Sequence, residues 1–160
     1  MYPPCHRLIT KVNMSLLSNK NVLIFGVAND KSIAYSLAKK FKAEGANIAL
    51  SYANDALKKR VIPISEDLSA DFVFEMDVLN DEHYDRLLET VKSNWDHVDV
   101  IVHSVAFADR EDLKGRFVDT SRKGFKMALD VSAYSLVGLS QKLESLLTEN
   151  ASIMAMTYYG

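Results

Sequence analysis

The segment Asn21-Val-Leu-Ile-Phe-Gly-Val-Ala-Asn-Asp-Lys-Ser-Ile-Ala34 joins a short apolar run to the start of a helical pattern. The run 21–25 predicts a β-strand that is buried on both faces. From Ser32 onward the apolar residues recur at helical spacing, and Gly45 is a candidate C-cap, so a helix is expected next. A strand that leads directly into a helix is the first half of a βαβ unit.

The same alternation continues along the chain. Further strands are predicted at 47–52, 71–76, 98–102 and from 153 onward, with helices between them, the last spanning about 124–148. Pro63 is expected to kink or end the second helix. Because βαβ units place parallel strands between two layers of helices, the pattern predicts an α/β protein with a doubly wound parallel sheet (Rossmann type), truncated after the fifth strand.

Composition excludes several classes of protein. The 160 residues are 48% hydrophobic, which suits a single domain, and 19 basic against 21 acidic residues give a net charge of −2, which argues against nucleic-acid binding. The single cysteine, Cys5, rules out a disulfide framework and a cysteine-based metal site. No apolar run is long enough to cross a membrane. We therefore expect a cytoplasmic protein without a metal, with residues 1–17 as a disordered N-terminal overhang.

Two strand ends carry candidate ligand-binding residues. After the first strand, Gly26 permits a tight turn, and the Ser32 hydroxyl with the amides of Ser32 and Ile33 offers donors to a phosphate. After the third strand, the carboxylate of Asp77 could accept from an adenine amino group while the amide of Val78 meets the ring. Two structural alternatives remain open. The turn after the first strand could be a common scaffold turn that contains one glycine, and Asp77 could serve only to form a turn. His103 and Ser104 end the fourth strand; packing with local hydrogen bonds is the alternative to a functional role for both, and it is the expected role of His103.

Six motifs add evidence to this interpretation of the strand ends. They are G-V-A-N-D-K-S-I-A at 26–34, M-D-V at 76–78, H-S-V-A-F-A at 103–108, L-K-G-R-F-V-D-T-S-R at 113–122, S-A-Y-S at 132–135 and T-Y-Y-G at 157–160. Together they resemble the NADH-dependent enoyl-acyl-carrier-protein reductases, a divergent branch of the short-chain dehydrogenase/reductase superfamily. The likeness runs from about Ser18 to the last residue. It covers only the N-terminal portion of a complete reductase, so residues 18–160 are interpreted as an incomplete dinucleotide-binding reductase domain.

The resemblance implies a reaction and a set of roles. The reaction is hydride transfer from NADH to a trans-2-enoyl thioester on acyl carrier protein, in fatty-acid elongation. The matching positions are Gly26, Ser32 and Ile33 for the pyrophosphate, Asp77 and Val78 for the adenine, Val105 for the nicotinamide path, Ala108 beside the substrate and Tyr158 as a catalytic tyrosine. Ala53 stands where many relatives carry a glutamine, and that position offers neither an acid for the ribose 2′-OH nor an arginine for a 2′-phosphate, so NADH is favoured over NADPH. A homotetramer is the family's usual assembly.

Several alternatives stay open. The family's second tyrosine and its lysine fall beyond Gly160, so the 160-residue chain alone is expected to be inactive and poorly stable. A non-catalytic NAD-binding fragment or pseudoenzyme is the second hypothesis. Another short-chain dehydrogenase is a third, which the G-x5-S-x-A turn at 26–34 disfavours. Whether Leu136, Leu139 and Leu143 form core or a subunit interface is undecided.

Overall fold

A computed structural model describes residues 15–157 as alternating strands and helices. The elements are β1 (Asn21–Phe25), α1 (Ile33–Ala43), β2 (Asn47–Tyr52), α2 (Asp55–Asp67), β3 (Phe72–Glu75), α3 (Asp81–Asn94), β4 (Val98–His103), α4 (Arg122–Leu129), α5 (Ser135–Leu143) and β5 (Leu147–Ala155). Short 3-10 turns lie at Phe117–Asp119 and Glu144–Leu146, and a π-helical turn at Asp130–Tyr134 joins α4 to α5.

The strands form one parallel sheet in the order β3-β2-β1-β4-β5. β1 lies in the centre, pairing with β2 on one side and β4 on the other. The chain moves outward from β1 to β3, then returns to β4 on the opposite side of β1. This reversal creates a switch point between β1 and β4, and it confirms the predicted doubly wound topology.

Two apolar layers hold the sheet between its helices. One face of β1, with Leu23 and Phe25, packs against α3 and α5, and the other, with Val22 and Ile24, packs against α1 and α2. All five residues of β1 are buried, as the continuous apolar run predicts. Leu139 and Leu143 of α5 are fully buried in the first layer, so they belong to the core of this chain.

The structure corrects the predicted limits of two helices. The helix predicted at 124–148 is interrupted by the π-helical turn and ends at Leu143, and β5 already begins at Leu147. β5 pairs irregularly with β4 until Ser152, because its register shifts between Val98 and Val100. In α2, Pro63 does not end the helix, which continues to Asp67. Pro63 is exposed and lies away from the packed side of α2.

A buried carboxylate ties the amino ends of β1 and β4 together. Asp99 accepts hydrogen bonds from the Lys20 ammonium at 2.8 Å and from the Asn21 amide at 3.0 Å, and His97 Nε2 lies 3.3 Å away. Burial alone would raise the pKa of Asp99, but the bonds from Lys20 and Asn21 and the charges of Lys20 and His97 hold it below its ordinary value. The ionised form is therefore the one that stabilises the fold.

We expect Asp99→Asn to lower the free energy of unfolding at neutral pH by about 1 to 2 kcal/mol, since hydrogen bonds to a charged group are weakened. Because the pKa of Asp99 is lower in the folded than in the unfolded protein, its contribution is present above the ordinary aspartate pKa and is lost as pH falls through the folded value. The free energy of unfolding of the variant should therefore fall less, as the pH is lowered, than that of the unmodified protein. Denaturant unfolding at neutral and acidic pH, with the exposed Asp96→Asn as control, tests this. Equal pH dependence for both variants would contradict it.

Within the described residues, no helix has the length and apolar character to cross a membrane.

Candidate functional site

A cavity of about 510 Å³ opens at the carboxyl ends of the central strands. Four strand ends supply its walls: Gly26 follows β1, Tyr52 ends β2, Asp77 follows β3 and Val105 follows β4. Met127 and Val131 close the side nearest α4. In open parallel sheets this edge, beside the switch point, is where ligands bind.

Gly26 lets the β1–α1 turn lie directly against the end of β4. Its φ of +91° is in the region that disfavours side chains, and a Cβ added there would lie 2.0 Å from the carbonyl oxygen of Ser104. A hydrogen bond from the Ser104 amide to the Phe25 carbonyl, at 3.0 Å, holds the ends of β1 and β4 together at this point. Gly26 is thus required by close backbone packing, a reason that the sequence interpretation did not foresee.

The first turn of α1 presents unpaired backbone amides. Ser32 is the N-cap: its hydroxyl donates to the Asn29 carbonyl at 2.7 Å and accepts from the Tyr35 amide at 3.2 Å. The Ser32 amide, expected as a phosphate donor, donates instead to the Asn29 carbonyl at 3.2 Å. Within residues 15–157, the amides of Ile33 and Ala34 donate to no acceptor. Two free donors at the positive end of an eleven-residue helix form a suitable site for an anion.

The end of β3 is a turn in which Asp77 takes part. One carboxylate oxygen, Oδ1, accepts from the amide of Leu79 at 3.0 Å, which is the turn-forming role kept open as an alternative. The other oxygen, Oδ2, has no hydrogen-bond partner within the described residues. Asp77 is half-buried and lines the cavity, so Oδ2 remains available to a ligand.

The end of β4 is fixed to the π-helical turn by two serines. His103 Nε2 lies 2.7 Å from the hydroxyl of Ser135, which donates to the Val131 carbonyl at 2.7 Å. Burial lowers the pKa of His103, which favours the neutral ring. Because the Ser135 hydroxyl uses its single proton on the Val131 carbonyl, the tautomer with the proton on Nε2 is the one that can donate to the serine. The hydroxyl of Ser132 accepts from the amide of Phe107 at 3.1 Å. His103 is a packing residue with a local hydrogen bond, as expected.

A second, smaller cavity of about 380 Å³ lies between residues 108–120 and α4. Ala108 is part of its wall, together with Leu113 and Phe125. The segment over it is held by Asp112, whose carboxylate accepts from the amide of Ser121 at 2.7 Å. The cavity is largely apolar in its lining, which suits an aliphatic group better than a charged one.

The structure brings together four of the eight residues that the sequence singles out. Gly26, Asp77, Val78 and Val105 line the larger cavity. Ser32 and Ile33 are not in its wall but begin the helix that follows the Gly26 turn, and Ala108 belongs to the smaller cavity. Tyr158 lies outside the described residues, so its role stays a prediction.

Sequence reasoning missed part of the cavity wall. Ser51 and Tyr52 could have been found, because they end a strand parallel to β1 and must reach the same edge. Met127 and Val131 could not, since their placement depends on how α4 packs and on the π-helical turn. Among residues 15–157, no three His, Cys, Asp or Glu side chains cluster closely enough to hold a metal ion.

The parallel sheet, the switch point and the cavity beside a helix N-terminus define a Rossmann-type α/β protein. A family model described as enoyl-(acyl carrier protein) reductase matches residues 26–160. The chain belongs to this family.

Individual relatives agree with the family model. The chain is 46% identical over 148 residues to the enoyl-(acyl-carrier-protein) reductase (NADH) FabI of Aquifex aeolicus, covering 92% of this chain and 55% of that protein. The crystal structure of the Aquifex aeolicus enzyme superposes with a TM-score of 0.87 at 45% identity, over 89% of this chain and 57% of that one. The crystal structure of the reductase of Anaplasma phagocytophilum in complex with NAD superposes with a TM-score of 0.84 at 40% identity. The match covers 89% of this chain and 55% of that one. The chain thus spans a little over half the length of these relatives.

Proposed function

We propose that the chain forms the NADH-binding part of an enoyl-acyl-carrier-protein reductase. The observation that carries the proposal is the cavity at four neighbouring strand ends, next to a helix whose first two amides are free, in a chain of this family. Ser32, Ile33, Asp77, Val78 and Val105 are assigned to the cofactor, with Gly26 permitting the turn between them.

The described residues suit a dinucleotide. The free amides of Ile33 and Ala34 would hold the pyrophosphate, as two donors at the positive end of α1. Asp77 Oδ2 would accept from the adenine amino group, with Val78 beside the ring, and Val105 would lie along the path to the nicotinamide. The cavity volume of about 510 Å³ falls within the ~300 to 1,000 Å³ typical of ligand sites.

The proposed reaction is reduction of a trans-2-enoyl thioester carried by acyl carrier protein. NADH, when bound, would supply a hydride to the β-carbon of the thioester, and the enolate so formed would take up a proton at the α-carbon. Ala108 would contact the acyl group, which the apolar lining of the smaller cavity supports, and Tyr158 is assigned to the active site. A homotetramer in the cytoplasm is proposed with the reaction. Lys114 and Arg116 are each paired with an acid, so they offer little free charge for docking an acidic carrier.

We expect NADH to bind at least about tenfold more tightly than NADPH. The factor corresponds to one charge-assisted hydrogen bond that the 2′-phosphate of NADPH would need and does not find. Ala53 and Asn54 follow β2 at the cavity wall, and neither can pair with a ribose 2′-phosphate as an arginine does. The ammonium of Lys58 lies 5.6 Å from the centre of the Tyr52 ring, in a cation–π contact. Titration of the chain with each nucleotide, followed by nicotinamide fluorescence, measures the ratio. Equal affinities would contradict the assignment.

The reductase is distinguished from a non-catalytic NAD-binding protein by turnover. NADH oxidation is measured on addition of a crotonyl thioester, with this chain and with any longer protein that its gene encodes. Oxidation that requires the thioester supports the reductase. Binding of NADH without oxidation by either protein supports the non-catalytic alternative, and failure to bind NADH contradicts both.

A further inference from the structure

The peptide between Met76 and Asp77, just beyond the end of β3, has an unusual hydrogen-bond partner. β3 is an outer strand of the described sheet, and its pairing with β2 ends where the Met76 amide donates to the Tyr52 carbonyl at 2.8 Å. Successive amides of a strand point to opposite sides, so the amide of Asp77 points away from β2. It donates instead to Nδ1 of His83, at 2.9 Å, in the first turn of α3.

His83 is buried, with 6% of its surface exposed. As the acceptor, Nδ1 carries no proton, so the neutral ring holds its proton on Nε2. The Asp77 amide lies in a part-buried position, where an unpaired donor is unfavourable, so the bond to His83 favours one orientation of the Met76–Asp77 peptide. The His83 ring therefore supplies, on the outer side of β3, the hydrogen-bond acceptor that a neighbouring strand would supply inside a sheet.

The rest of the turn is fixed by weaker local bonds. Asp77 Oδ1 accepts from Leu79, and the Asp77 carbonyl accepts from the amide of Asn80 at 3.0 Å. Tyr84 donates its hydroxyl to the carbonyl of Val78 at 3.1 Å. With these groups engaged, Oδ2 is the carboxylate oxygen of this cavity-lining residue that has no partner among the described residues, and its position depends on the peptide that His83 holds.

We infer that His83 is a positioning residue for nucleobase recognition: it fixes the Asp77 peptide so that the Asp77 carboxylate reads the amino group of adenine. The inference rests on the proposed function, because it assigns the Asp77 end of the cavity to the adenine. His83 itself is not part of the cavity wall, so it acts through Asp77.

The test compares NADH with its hypoxanthine analogue, deamino-NADH, which replaces the adenine amino donor by a carbonyl acceptor. The unmodified chain should bind NADH about tenfold more tightly than the analogue, as for one hydrogen bond to a carboxylate. His83→Leu removes the acceptor and should reduce this ratio to about twofold or less, because Asp77 is no longer held. His83→Asn, nearly the same size as leucine, keeps an acceptor close to the place of Nδ1 and should retain most of the ratio.

The ratio separates positioning from general loss of structure. A variant that is merely less stable weakens both ligands alike and leaves the ratio unchanged. If His83→Leu does not melt cooperatively, His83→Ala takes its place, since it removes the acceptor without adding bulk. An unchanged ratio in the variant lacking the acceptor would overturn the inference and leave the proposed function standing, as would an unmodified chain that binds both ligands equally. An unmodified chain that binds neither would contradict the proposed function itself.

Discussion

Replacing Gly26 by alanine is expected to destabilise the chain by at least about 3 kcal/mol and to weaken NADH binding by more than about tenfold, through steric overlap and backbone strain combined. The added Cβ would lie 2.0 Å from the Ser104 carbonyl oxygen and 2.6 Å from its carbon. Both atoms are backbone at the end of β4, so no side chain can rotate to make room. The turn would have to move away from Val105, and the cavity wall would move with it.

Gly115 provides the matched control. Its φ of +81° is close to that of Gly26, but a Cβ there would meet no atom within 4 Å. Gly115→Ala should therefore cost only the strain of the left-handed backbone, about 1 to 2 kcal/mol. Thermal melts and NADH titrations of both variants measure the difference. Equal losses of stability would mean that the contact with Ser104 is unimportant.

The fold was predictable because the strongest signals are local. β1 is a continuous apolar run, and the stripe Tyr84, Leu87, Leu88, Val91 and Trp95 marks one side of α3, with Leu87, Val91 and Trp95 buried. Parallel strands then require that the strand ends meet at one edge, which is why Gly26 and Asp77 could be grouped from the sequence, whereas Val105 was indicated by the resemblance.

The remaining features depend on tertiary contacts. The π-helical turn at Asp130–Tyr134 shows no periodicity of its own in the sequence, and it is fixed by a bond between Ser135, the residue that follows it, and His103 of the distant strand β4. The hydrogen bond of His83 to the Asp77 amide could not be predicted from the sequence either, because a single histidine in a helix forms no recognisable pattern. It becomes visible only when α3 is packed beside the end of β3.

Replacing Ile33 by proline should reduce NADH affinity roughly 10- to 100-fold, the effect of one lost hydrogen bond to a charged phosphate. Ile33 is the first residue of α1, where proline is well tolerated because its nitrogen needs no helical partner. Ser32 already has φ −71° and ψ 149°, the extended conformation that a following proline requires. The Ile33 side chain is 66% exposed, so its loss costs little packing. The substitution thus removes one donor and leaves the fold in place.

Ile33→Ala is the control, because it loses the same side chain and keeps the amide. NADH titrations of Ile33→Pro and Ile33→Ala, on proteins with matching melting temperatures, test whether α1 holds the cofactor's pyrophosphate. The alanine variant should bind NADH as the unmodified chain does, and the proline variant should bind at least about tenfold more weakly. Equal affinities for the two variants would contradict the assignment of this cavity and helix to the dinucleotide.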